Sequence, residues 1–106
     1  MSKYLSEPDS DEEPSITEEI SPQDASFREK AILLAAELKG KGNSCFSAGD
    51  LDGALSHYSE AIKTLKSAGC PLDSLILLNR SATYLGLKRY VPALYDANLA
   101  AESDPR

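Results

Sequence analysis

The sequence predicts an all-α protein in which two helical hairpins stack as a solenoid, preceded by a disordered acidic tail. Apolar residues recur at helical spacing in four consecutive segments, and no segment shows the alternation that is typical of a strand. The second half of the chain resembles the first half when the two are aligned with an offset of 39 residues. Acidic residues are concentrated before the first predicted helix.

The predicted tail comprises residues 1–26, which contain three prolines, eight acidic residues and one lysine. Such a segment has too few apolar groups to offset the entropy lost on ordering, so we expect disorder. Ser10 precedes three acidic residues and resembles an acidic-directed kinase site. The tail could fold back and occupy a groove of the folded part, or it could serve only solubility.

The first hairpin is expected at about residues 27–72. Ser26 and Glu29 have the spacing of a capping box, and Gly49 ends the first helix. Asp50 caps the second helix, which ends near Gly69. The predicted inward-facing residues are Ala31, Leu34, Ala35, Leu38, Cys45 and Phe46 in the first helix, and Leu51, Ala54, Leu55, Tyr58, Ala61, Ile62 and Leu65 in the second.

The second hairpin is expected at about residues 73–106. Asp73 caps its first helix, which ends near Gly86, and its second helix begins near Tyr90 with Pro92 in the first turn. The predicted inward-facing residues are Leu75, Leu77, Leu78, Ala82, Tyr84 and Leu85, followed by Ala93, Leu94, Ala97 and Ala100.

Small residues recur at equivalent positions of the two hairpins. With the 39-residue offset, Gly42 aligns with Ser81, and Ala54 and Ala61 align with alanines. Small side chains let antiparallel helices approach closely, and a single hairpin cannot bury its apolar face alone. The repeat therefore predicts two hairpins stacked on one another.

The composition limits the classes of function that this chain can have. A chain of 106 residues with 42% hydrophobic residues has the size of one soluble domain, and no apolar run is long enough to span a bilayer. The first residues contain no secretory or transit signal, so a cytoplasmic location is expected. The folded part is close to neutral, with ten Lys or Arg and nine acidic residues, which disfavours nucleic acid and membrane surfaces as partners.

Catalysis and metal binding are also disfavoured. Two cysteines and one histidine are too few for a structural zinc site, and thiols are expected. A nucleophile at Cys45 or Cys70 with His57 as base lacks a third group to orient it. We expect a protein that is not an enzyme, with no cofactor and no small-molecule substrate.

The repeated positions resemble those of the tetratricopeptide repeat (TPR) over about residues 35–106. Cys45 and Ala97 stand where that family prefers aromatic residues, and the 39-residue period exceeds the usual 34. The resemblance implies part of a longer TPR domain. The matching residues are Leu38, Gly42, Cys45, Ala54, Tyr58 and Ala61, then Leu77, Ser81, Tyr84, Ala93, Ala97, Ala100 and Pro105.

Lys39, Asn43 and Asn79 match the carboxylate clamp of one TPR subclass, the co-chaperone type of Hsp-organising proteins, UNC-45 and mitochondrial-import adaptors. The resemblance implies that these three residues bind the C-terminal Glu-Glu-Val-Asp tail of cytosolic heat-shock chaperones. The family completes the clamp with Lys and Arg from a third repeat. Arg80 is expected to be a structural or surface residue and not a ligand contact. The alternative is a generic TPR scaffold that docks another protein or a downstream domain without a clamp.

Overall fold

The computed structural model describes residues 25–103, which fold into four α-helices. These are α1 (Ala25–Ser47), α2 (Leu51–Ser67), α3 (Ser74–Gly86) and α4 (Tyr90–Ser103). No strand occurs within this range, so the predicted all-α class is confirmed. Almost all of the predicted tail, including Ser10, lies outside the described residues, as does Pro105.

Aspartate side chains cap α2 and α3, as the sequence predicts. Asp50 Oδ1 accepts a hydrogen bond from the backbone N–H of Gly53 at 2.9 Å, and Asp73 Oδ1 accepts one from Leu75 at 2.9 Å. The predicted cap of α1 at Ser26 is wrong, because the helix already begins at Ala25.

The first three helices end in the same left-handed turn. Gly49 (φ 84°) follows α1 and Gly69 (φ 71°) follows α2, as predicted. After α3 this conformation falls on Lys88 (φ 63°), where Arg89 N donates a hydrogen bond to Tyr84 O at 2.8 Å. A side chain in this region is strained where glycine is not.

The helices form two stacked hairpins. α1 packs against α2, α3 packs against α4, α2 joins the hairpins by packing against α3, and α1 meets α3 along a shorter contact. The core runs through both hairpins, as the repeat predicts. It consists of Ala31, Ala35, Leu38, Ala54, Tyr58, Ala61, Ile62, Leu65, Ala68, Cys70, Ile76, Leu77 and Ala100.

Part of the predicted apolar stripe is wrong. α3 carries apolar residues around most of its circumference, so their spacing fits more than one face. Packing against α2 and α4 buries Ile76, Leu77, Ser81 and Thr83. The face predicted from the spacing lies outward instead. The exposed residues among those predicted inward are Leu34 and Phe46 in α1, Leu75, Leu78, Ala82 and Leu85 in α3, and Leu94 in α4.

A buried ion pair joins the two helices of the second hairpin, and its arginine also forms a hydrogen bond to the first hairpin. Arg80 in α3 donates through Nε and Nη2 to the carboxylate of Asp96 in α4 at 2.7 and 2.9 Å, and through Nη1 to Ser59 Oγ in α2 at 3.2 Å. Asp96 is 1% exposed. The hydrogen bond to Asp96 raises the pKa of Arg80. These contacts support the expectation that Arg80 is structural.

Candidate functional site

An open cavity of about 210 Å³ lies where the two hairpins meet. It is lined by residues of α1, α2 and α3. Phe46 and Ala82 supply apolar surface, and the amides of Asn43 and Asn79 supply polar groups. Ser47 and Tyr58 complete the lining. A small cavity with apolar walls and a few converging polar groups is the usual form of a binding site.

Asn43 is the hydrogen-bonding centre of this cavity. Its Oδ1 accepts from the hydroxyl of Tyr58 in α2 and from Asn79 Nδ2 in α3 at 3.1 Å. An amide oxygen has two lone pairs, so both are occupied. The Nδ2 group of Asn43 donates to no residue within 25–103, and the side chain is exposed. The Nδ2 group of Asn43 is therefore an available hydrogen-bond donor.

Tyr58 fixes the orientation of that amide. Its side chain is 1% exposed, and its hydroxyl donates to Asn43 Oδ1. Burial, together with the nearby Cys45 thiol, raises the pKa of the Tyr58 phenol. The hydroxyl therefore remains protonated at neutral pH and continues to act as a donor, which keeps the Asn43 oxygen inward and its NH₂ group outward.

Asn79 joins α3 to the same cluster. It is half-buried, its Nδ2 donates to Asn43, and its backbone oxygen accepts a hydrogen bond from Thr83 Oγ1 at 2.8 Å. No residue within the described range donates to Asn79 Oδ1. Two carboxamides from different hairpins thus meet at the cavity and stabilise each other's position.

Lys39 lies beside the cavity but does not line it. Its Nζ is 3.5 Å from Asp73 Oδ2, and its side chain is 28% exposed. Lys39 and Asn43 are one turn apart on α1, so they share a face of that helix. The structure therefore brings Asn43 and Asn79 together and holds the ammonium one turn away, against the N-terminus of α3.

The contacts between α1 and α3 show how these two helices are oriented relative to each other. Lys39 of α1 forms an ion pair with Asp73, which caps the start of α3. Asn43, four residues later in the chain than Lys39, forms a hydrogen bond with Asn79, six residues later than Asp73. The two helices therefore run in the same direction. A peptide lying along them would meet the ammonium first and the two amides next, or the reverse.

Two residues of the site were not identified from sequence reasoning. The sequence predicts only a packing role for Tyr58 and only a capping role for Asp73. In the structure Tyr58 orients Asn43, and Asp73 also pairs with Lys39. Both partnerships join residues that are distant in sequence, so spacing along the chain carries no signal for them.

The site is suited to binding an anionic or carbonyl group. Its amide N–H groups and the neighbouring ammonium are hydrogen-bond donors, and charge-assisted bonds to carboxylates are the strong ones. No group of three or more His, Cys, Asp or Glu side chains with metal-binding geometry is present in residues 25–103. None of the four helices is long and apolar enough to cross a bilayer.

Relatives of known type match most of the chain. Hsp70-Hsp90 organizing protein 3 of Arabidopsis thaliana is 44% identical over 64 residues, 60% of this chain and 11% of its own length. Heat shock protein STI1 of Saccharomyces cerevisiae is 38% identical over 73 residues, 69% of this chain and 12% of its own. Human tetratricopeptide repeat protein 12 is 32% identical over 89 residues, 84% of this chain and 12% of its own.

This chain spans about a tenth of the length of these relatives. No family model matches the sequence, and no solved structure matches it. The stacked helical hairpins define a helical-repeat protein. Together with the relatives, they show that the chain is similar to tetratricopeptide-repeat proteins.

Proposed function

We propose that this chain is a non-enzymatic adaptor module that binds the acidic C-terminal Glu-Glu-Val-Asp tail of cytosolic heat-shock chaperones. Asn43 and Asn79 hold the terminal carboxylate of the peptide, and Lys39 supplies positive charge. The apolar wall formed by Phe46 and Ala82 contacts the adjoining side chain of the peptide.

The observation that carries the proposal is the paired amide arrangement of Asn43 and Asn79. Both oxygen lone pairs of Asn43 are used inside the protein, and Asn43 itself lines the cavity. An asparagine inside a helix is less favourable than alanine by about 0.5 kcal/mol. Two such residues that meet across a cavity are consistent with ligand binding.

The chaperone class of the ligand rests on the relatives. Several of them are named as organizing proteins of Hsp70 and Hsp90, and they match 60% to 68% of this chain at 38% to 44% identity. An adaptor for chaperone tails therefore agrees with both the family and the donor groups at the cavity.

The proposal is tested by replacing the donors. The variant Lys39→Ala with Asn43→Ala should weaken binding of an octapeptide ending in Glu-Glu-Val-Asp by about a hundredfold to ten-thousandfold, since it removes two contacts and hydrogen bonds to charged groups contribute about 1.5–3 kcal/mol each. The matched control is Lys41→Ala, which removes the same charge from an exposed position paired with Glu37. Equal affinities for both variants would refute the proposal.

The second candidate is a scaffold that docks another protein through an apolar surface. It is favoured by exposed apolar residues on the outer face of α3 and α4, including Leu78 and Leu94, which are 48% and 64% exposed. Under this alternative, Leu78→Ser and Leu94→Ser should weaken partner binding while Lys39→Ala and Asn43→Ala leave it unchanged. The opposite pattern is expected if the amides bind the ligand.

A further inference from the structure

Asp73 uses its two carboxylate oxygens for different purposes. Oδ1 accepts the backbone N–H of Leu75 at 2.9 Å and caps α3, while Oδ2 lies 3.5 Å from Lys39 Nζ. The side chains of Lys39 and Asp73 are 28% and 37% exposed, so the pair lies at the edge of the candidate site in contact with solvent. A capping aspartate needs only one oxygen for the cap.

The ion pair places a negative charge beside the candidate carboxylate site. Lys39 is one turn from Asn43 on the same face of α1, and its ammonium stands on a flexible four-carbon chain. It can therefore turn toward Asp73 or toward an anion held by Asn43 and Asn79. An incoming carboxylate would compete with Asp73 for the ammonium and would also be repelled by the Asp73 charge.

We infer that Asp73 is an internal competitor that holds Lys39 away from the ligand and lowers the affinity of the site for terminal carboxylates. This inference rests on the proposed function and adds a specificity-determining residue to it. The ligand takes Lys39 from Asp73 when it binds, so only an anion that Asn43 and Asn79 also hold can displace the pair. A weakly held anion leaves the pair intact.

Asp73→Asn tests the inference with little effect on the fold. Asparagine caps helices as well as aspartate does, so the bond to Leu75 is retained while the negative charge is removed. Asp50→Asn is the matched control, because Asp50 caps α2 through the same kind of bond and forms no ion pair with any residue in 25–103. Both variants change the net charge equally.

The measurement is the affinity of the full 106-residue chain for an octapeptide ending in Glu-Glu-Val-Asp, by fluorescence anisotropy at low salt. Asp73→Asn should tighten binding about threefold to tenfold, the range that an exposed ion pair and one like-charge repulsion provide. Asp50→Asn should change affinity by less than about twofold, because its charge is remote from the site and screened. The advantage of Asp73→Asn should shrink as salt increases.

Combining Asp73→Asn with Lys39→Ala shows whether the change in peptide affinity acts through Lys39. With Lys39→Ala already present, Asp73→Asn should lose most of its advantage. Urea denaturation of both asparagine variants should give a stability close to that of the parent chain, which excludes a change in folding as the cause. An equal advantage with and without Lys39 would overturn the inference.

The outcomes also separate this inference from the proposed function. If Asn43→Ala weakens peptide binding but Asp73→Asn does not tighten it, the inference is wrong and the proposed function stands. If Asp73→Asn weakens binding, Asp73 positions Lys39 for the ligand and is not a competitor. If neither the parent chain nor Asp73→Asn binds the peptide, both are wrong.

Discussion

The ring of Tyr58 in α2 lies against the backbone of Gly42 in α1. A Cβ added at Gly42 would stand 2.5 Å from Tyr58 Cε1 and 2.7 Å from Cδ1. The hydroxyl of the same tyrosine reaches Asn43, the next residue along α1. The small residue that allows the hairpin to close therefore also brings the phenol to the amide of the candidate site.

Gly42→Ala should destabilise the protein by about 1–3 kcal/mol, because the added methyl group forces the buried Tyr58 ring to move. Gly40 is the matched control: it lies in the same helix, and a Cβ there meets nothing within 4 Å. Gly40→Ala should stabilise the protein by about 0.5–1 kcal/mol through helix propensity. Urea denaturation measures both, and a stabilising Gly42→Ala would contradict the packing described for the hairpin.

Tyr58→Phe should distinguish the two roles of Tyr58, which are packing in the core and orienting the amide of Asn43. The aromatic ring is retained, but Asn43 Oδ1 loses one of the two groups that donate hydrogen bonds to it. The amide of Asn43 can then rotate. Stability should fall by about 0.5–1.5 kcal/mol, the usual contribution of one hydrogen bond. Affinity for an acidic C-terminal peptide should fall several-fold, measured by titration calorimetry.

Tyr84→Phe serves as the control for that experiment. Tyr84 is in α3, half-buried, and its ring lies 5.8 Å from the guanidinium carbon of Arg80, away from the lining of the cavity. Removing its hydroxyl should leave peptide affinity unchanged. If both variants lose affinity equally, Tyr58 has no specific role in orienting Asn43.

Asp96→Ala should be among the most damaging single substitutions. It leaves the Arg80 guanidinium, whose side chain is 16% exposed, without its carboxylate, and breaking a buried pair in this way costs about 3–5 kcal/mol. Glu37→Gln is the control, since it breaks the exposed pair with Lys41, for which about 0–1 kcal/mol is expected. Thermal or urea unfolding measures both, and similar costs would show that the Arg80 pair is not buried as described.

Lys88→Gly should stabilise the protein. Lys88 has φ 63° after α3, a conformation that costs a residue with a Cβ about 1 kcal/mol and that glycine adopts without strain. Lys88→Ala is the control, because it removes the long side chain but keeps the Cβ. Unfolding free energies should rank the glycine variant above the alanine variant, and the reverse order would rule out strain at this turn.

The starts of α2 and α3 and the small-residue contacts could be predicted from local sequence. Asp50 and Asp73 each precede an apolar run, and their caps follow from the chemistry of one turn. Gly42 and Ala54 stand at repeated positions, and both are buried as expected. The helix caps depend on residues within one turn of each other. The small-residue contacts can be recognised because the same pattern occurs in both hairpins.

The buried face of α3 and the environment of Lys39 could not be predicted in this way. Leu75 and Leu78 have helical spacing, yet the neighbouring Ile76 and Leu77 are buried, because two other helices decide which side of α3 is covered. Lys39 meets a residue 34 positions away in the sequence. Only the packing of α1 beside α3 determines that ion pair.

The most direct test of the account compares two forms of one octapeptide ending in Glu-Glu-Val-Asp, one with a free C-terminal carboxylate and one with a C-terminal carboxamide, by titration calorimetry with the full chain. Asn43 and Asn79 are proposed to hold the terminal carboxylate, so the free form should bind at least about tenfold more tightly, the effect of one charge-assisted hydrogen bond. Asn43→Ala should remove most of that preference. Equal affinities for the two peptides would contradict the account.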